Sequence, residues 1–213
     1  MADALLQAEF FQKVHVWPLS TELNYEGWLR NFDTEHDRAL ARRILEFFTY
    51  YPEPMVNKML RKAVGQAGEI FASTLSGWSH SAFRDRCCYS FIPGENPNPT
   101  DSGHLFARKL RDILQIPEDR IVDFANIPDI LANATDQLPV VLVDDFVGMG
   151  IQCVTAWNRL LPSYGKPLED LVSSGGHVFV YASLLANHAG HNHIRSNCPS
   201  LHLSAAHVLG PEY

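Results

Sequence analysis

Pro139-Val140-Val141-Leu142-Val143 is an unbroken apolar run that ends in two carboxylates, Asp144 and Asp145. Phe146-Val147-Gly148-Met149-Gly150-Ile151-Gln152 follows, and Cys153 to Leu161 then reads as an amphipathic helix. The run suits a strand buried on both faces and is too short for a helix, so it calls for a parallel sheet covered by helices. A glycine turn between strand and helix exposes backbone N–H groups and the positive end of the helix dipole at the sheet's carboxyl edge. That edge suits a phosphate, and neighbouring carboxylates can accept hydrogen bonds from two adjacent sugar hydroxyls. The segment therefore predicts a socket for a ribose 5-phosphate. The alternative is an ordinary strand end whose acids only cap the helix.

The remaining pattern divides the chain into a helical N-terminal segment, residues 1–80, and an α/β domain, residues 81–213. Leu6, Phe10 and Val14 fall at helical spacing before Pro18. Thr34-Glu35-His36-Asp37 is a capping-box start for a helix with Leu40, Ile44, Phe47, Phe48 and Tyr51 on one face. Pro52 and Pro54 end it, and Pro54 fits the first turn of a third helix carrying Val56, Met59, Leu60, Ala63, Ile70 and Phe71. All these stripes are expected in the core, as are Trp28, Trp78 and Tyr50. From about Arg84 the period changes to strands separated by helices. Cys87–Ile92, Ile121–Phe124, the acidic-pair strand, Gly176–Ala182 and Leu201–Val208 give five strands, and intervening helices imply right-handed parallel crossovers. The expected fold is α/β: a parallel sheet of about five strands flanked by helices, with the N-terminal helices as a cap.

Bulk properties narrow the partners. The 213 residues are 46% hydrophobic, which suffices for one full core or a core plus a small appendage. Seventeen basic against 24 acidic residues give a net charge of −7, without a basic cluster, which argues against direct nucleic-acid binding. No apolar run is long enough for a bilayer, and Met1-Ala2-Asp3-Ala4-Leu5-Leu6 lacks the basic start of a signal peptide. Cys87, Cys88, Cys153 and Cys198 lack CxxC spacing and read as buried thiols of a cytoplasmic protein.

The order of strand, acidic pair and small-residue loop resembles the signature of the type I phosphoribosyltransferases. Asp-Asp-Phe-x-Gly-x-Gly-x-Gln, with Trp28-Leu29-Arg30-Asn31-Phe32 upstream, is most similar to an outlying phosphoribosyltransferase-like group of prokaryotic conflict and antiphage loci. The resemblance implies that Asp144 and Asp145 hold the ribose diol and that Gly148, Met149, Gly150, Ile151 and Gln152 hold the 5′-phosphate. It also implies substrate-borne Mg²⁺, a ribose-phosphate or nucleotide ligand, and a protein partner. Gly94, Ser102 and Gly103, in the loop after the first strand, are the corresponding pyrophosphate-loop candidates.

Four departures from that family stand in the sequence. Met149 and Gln152 replace the loop's usual hydroxyl residues. The loop from Pro93 to Leu105 contains Glu95 and Asp101 but no Lys or Arg, so Arg84, Arg86, Arg108 or Lys109 would have to reach in from the flanks. Between strands two and three, Ala125 to Leu138 allows about one helical turn where the classical enzymes insert a lid. Finally, Leu209–Tyr213 follows the last strand directly, so a base-recognising hood would have to come from the N-terminal helices or another chain.

Two further polar features compete for a role. His188, His191 and His193 resemble a metal cluster, but no acid lies nearby to orient them, and a solvated histidine-rich loop or short helix is the preferred reading. Asp123 ends the second predicted strand and either faces the strand-end crevice or caps the turn at Asn126. Three functional classes remain: a nucleotide-binding sensor or effector, an active Mg²⁺-dependent phosphoribosyl transferase or nucleotide hydrolase, and a non-catalytic α/β scaffold.

Overall fold

The computed structural model describes residues 3–79, 83–94, 102–162 and 164–211. The chain forms two compact units, residues 1–55 and 56–213.

The first unit is helical. It contains α1 (Asp3–Lys13), α2 (Tyr25–Leu29) and α3 (Glu35–Phe47). The predicted cap is present: the Thr34 hydroxyl accepts from the Asp37 N–H at 3.1 Å and donates to the Asp37 carboxylate at 2.6 Å. The core of this unit is Ala8, Trp17, Tyr25, Leu29, Ala41 and Leu45. The expected core stripe on α3 is corrected, because Leu40, Ile44 and Phe47 are 54, 59 and 65% exposed. Leu6 and Phe10 of α1, and Val14 just after it, are exposed too. Ala4 and Ala8 occupy the buried line of α1, and Ala41 and Leu45 that of α3; three short helices enclose too little volume to bury a second apolar line.

The second unit carries the sheet. Strands β1 (Cys88–Phe91), β2 (Pro139–Val147), β3 (Val178–Asn187) and β4 (Leu201–Leu209) are all parallel, in the order β1-β2-β3-β4. Among the described residues, the expected five strands are therefore four. Ile121–Phe124 contributes only a single bridge from Ile121 to Tyr89, with Val122 N–H donating to Tyr89 C=O at 2.8 Å. Single-turn 3₁₀ helices at Glu118–Arg120 and Phe124–Asn126 leave that segment no length for a ladder.

Alternation along β2 separates two cores. Val141 and Val143 pack with α4 (Glu53–Thr74) through Leu60, Val64 and Phe71, and with α6 (Ser102–Leu114) through Phe106 and Leu110. Val140 and Leu142 face α7 (Ile127–Asn133), α8 (Ile151–Asn158), α9 (Leu168–Gly175) and α10 (His188–Asn197). This three-layer arrangement explains why β2 reads as continuously apolar: neither face meets water. The single turn expected between Ala125 and Leu138 is in fact the seven-residue α7, laid on the sheet through Ile127 and Leu131. A short helix α5 (Phe83–Arg86) leads into β1. All four cysteines are buried and free, with Cys87 and Cys88 divided between the two cores. Among the described residues, no helix is long and apolar enough to cross a membrane.

Candidate functional site

In a parallel sheet the carboxyl ends of all strands open on one side, and here that side carries the acidic pair. Asp144 is still within β2, opposite Ser183 of β3, and is only 6% exposed. Its Oδ1 accepts from the Asp145 N–H at 2.9 Å, and its Oδ2 accepts from the Tyr181 hydroxyl at 2.5 Å. Asp145 is half-buried, and its Oδ1 accepts from the Phe146 N–H at 2.8 Å.

Burial pushes the Asp144 carboxyl up to about 7, and the Asp145 carboxyl adds to the rise through a hydrogen bond and its charge. The hydrogen bond from Tyr181 acts in the opposite direction and limits it. The Tyr181 phenol is itself raised by burial and by the charge of Asp144. Asp144 therefore exchanges its proton near neutral pH, and Tyr181 acts only as a hydrogen-bond donor.

The loop lies directly after the strand. Gly150 adopts φ +77° and caps α8, a left-handed conformation that a side chain would strain. Gly190 of α10 presses on the same loop: a Cβ there would come within 2.1 Å of the Gly148 carbonyl oxygen. The amino ends of α8 and α10 thus meet at the glycine turn. Among the described residues, the N–H groups of Met149, Gly150, Ile151 and Gln152 take no protein acceptor. A cavity of about 160 Å³ opens here, lined by Asp144, Phe146, Gly148, Gly150, Gln152 and Tyr181 among others. Unused donors, a helix N-terminus and a buried carboxyl thus share one wall-to-wall space.

Gln152 extends the site towards β1. Its side-chain amide donates to the carbonyls of Ile92 and Pro93 at 3.4 and 3.3 Å, so the loop after β2 is tied to the loop after β1. Gly94 follows on that loop. Gly103 is buried against the Phe91 ring and Ser102 is exposed at the start of α6, where the His104 ring lies tilted against Phe91 with ring centres 4.6 Å apart. Glu95 and Asp101 lie outside the described residues. None of Gly94, Ser102 and Gly103 lines the cavity.

Other candidates lie elsewhere. Asp123 is exposed beyond the Ile121 bridge, on the far side of β1 from the acidic strand. Arg84 and Arg86 sit in α5, immediately before β1 and hence at the opposite end of the sheet, so the expected reach from these two is corrected. Arg86 stacks over Trp78 instead, and Lys109 donates to the Asn57 side chain at 3.0 Å. The histidine tract forms the first turns of α10, where Asn187 caps the helix and Asn192 pairs with His188. Among the described residues, no three His, Cys, Asp or Glu side chains converge as a metal group.

Sequence reasoning missed Tyr181 and Gly190. The signal for Tyr181 was a phenol inside an otherwise apolar strand, since a buried hydroxyl needs a partner. Cys153 was read only as a buried thiol, yet it lines the cavity and is hydrogen-bonded to Cys198. That bond, and then burial, pushes the Cys153 thiol up, while the same bond draws Cys198 down against the opposing effect of burial.

No curated protein and no solved structure matches the chain. A family model described as PRTase-CE, which is phosphoribosyltransferase-like, matches residues 25–213 and so spans both the acidic strand and its glycine turn. With nearly the whole sequence matched, the chain belongs to the PRTase-CE family.

Proposed function

We propose that the cavity beside Asp144 binds a ribose 5-phosphate group, carried by phosphoribosyl pyrophosphate or a nucleotide. The supporting observation is the set of unused N–H donors from Met149 to Gln152, which belong to residues lining the same cavity as Asp144. The phosphate takes the backbone donors and the sugar hydroxyls take Asp144 and Asp145. Two adjacent carboxylates suit Mg²⁺ that arrives on the substrate, because Mg²⁺ keeps most of its ligands as water and phosphate oxygens. Two carboxylates alone do not form a complete cation cage.

The reading extends to a sensor or effector in preference to a fast transferase. Pyrophosphate departure develops negative charge that a site must neutralise. Among the described residues, none of those lining the cavity is Lys or Arg. Residues 127–133, where a lid would be inserted, pack on the sheet instead. Turnover would then need a partner chain that supplies cations and excludes water. A role in antiphage defence is supported by the resemblance of the Asp144–Gln152 segment and Trp28–Phe32 to proteins of conflict loci.

Calorimetric titration with phosphoribosyl pyrophosphate, nucleoside monophosphates and ribose 5-phosphate, with and without Mg²⁺, tests the proposal. Binding should occur in the wild type and vanish in Asp144→Asn/Asp145→Asn while circular dichroism stays unchanged. Equal affinity in both proteins would place the ligand elsewhere. Rapid pyrophosphate release by the purified chain would replace the sensor reading with the transferase reading.

A further inference from the structure

Strand β4 ends the sheet with nine residues, Leu201-His202-Leu203-Ser204-Ala205-Ala206-His207-Val208-Leu209. One side is bonded to β3 along its length, and among the described residues no strand pairs with the other. An open edge presents a row of unpaired backbone donors and acceptors, and folded proteins usually blunt it with Lys, Pro, a bulge or a very short strand. β4 has none of these devices. It contains no Asp, Glu, Lys, Arg or Pro, and its centre is Ser-Ala-Ala.

The chemistry of such an edge selects its partner. Main-chain hydrogen bonds require another extended strand. The opposite edge of the sheet cannot serve, because β1 has only four residues and its outer side already takes Ile121. Head-to-tail stacking of copies is therefore blocked, whereas two β4 edges can meet across a two-fold axis. Beside the middle of β4, a groove of about 350 Å³ runs between Leu203–Ala205 and α4 residues Gln66, Glu69, Ile70 and Ser73. It leaves room for side chains of an added strand.

We propose that the chain forms a two-fold dimer in which β4 pairs antiparallel with β4 of a second copy, joining two four-stranded sheets into one of eight. Centring the axis on Ala205 keeps all nine residues paired. His202 of each copy then faces Val208 of the other, and both positions are exposed, so they can be changed without touching the core. The inference is independent of the ligand proposal, since no residue of β4 lines the cavity.

Light scattering of the full chain from about 5 to 200 µM, with hydrogen exchange read on β4, tests it. The wild type should dimerise, and β4 amides should become protected as concentration rises. His202→Lys/Val208→Lys places like charges in both cross-strand pairs and should weaken the dimer about tenfold or more. His202→Glu/Val208→Lys places opposite charges there and should dimerise within about threefold of wild type. A wild type that stays monomeric overturns the proposal. So does a dimer equally stable in both variants, which would point to another surface, such as the exposed Leu40-Ile44-Phe47 face of α3.

Discussion

The Tyr181 hydroxyl donates to Oδ2 of Asp144 at 2.5 Å, reaching across from the neighbouring strand. The pair explains how a carboxyl only 6% exposed is kept at the sheet's carboxyl edge. Tyr181 supplies one hydrogen bond and the Asp145 N–H the other, which removes most of the cost of enclosing the acid.

Tyr181→Phe should raise the Asp144 titration midpoint above about 7, because the lost hydrogen bond favours the ionised form. Stability should fall by about 1–3 kcal/mol, and by more at pH 8.5 than at pH 5, since a bond to a charged acceptor is the stronger one. Carboxyl-carbon NMR across pH, with urea unfolding at both pH values, checks this.

Asp144→Asn should become more stable relative to wild type as pH rises. In the wild type the folded state holds the Asp144 proton up to about 7, while the unfolded chain releases it near 3.8. Between these values the folded state binds more protons, so the wild type loses stability as pH increases and the loss is complete above about 7. Asparagine does not titrate. The difference between the proteins should change by roughly 3 kcal/mol from pH 5 to 8.5, measured by denaturant melts.

Gly190→Ala should disturb the phosphate loop although it lies in another helix. The new Cβ would meet the Gly148 carbonyl oxygen at 2.1 Å, and a backbone atom cannot swing aside. The expected loss is about 1–3 kcal/mol, as for overpacking, together with weaker binding of ribose 5-phosphate. Chemical shifts of the Gly148–Gln152 amides should move most.

Gln152→Ala should separate stability from binding. Its hydrogen bonds to Ile92 and Pro93 are long, at 3.4 and 3.3 Å, so the melting curve should shift by less than about 0.5 kcal/mol. Ligand affinity should fall severalfold, because the loops after β1 and β2 are no longer held together. An unchanged affinity would show that the two loops act separately.

Sequence periodicity located β1, β2, β3 and β4 because each is a short apolar run, and it placed Asp144 and Gly148–Gln152 at a strand end because that boundary is local. It misjudged Ile121–Phe124, whose residues suit a strand but lie between two 3₁₀ turns. It also placed Leu40, Ile44 and Phe47 in a core, since helical spacing shows that a face is apolar without showing what packs on it. The tertiary structure decided the rest. Tyr181 meets Asp144 across 37 residues of chain, and Gly190 meets Gly148 only because α10 starts where β3 ends. Strand pairing and helix docking set those meetings, through hydrogen-bond register and close packing between segments that carry no record of each other in their local pattern.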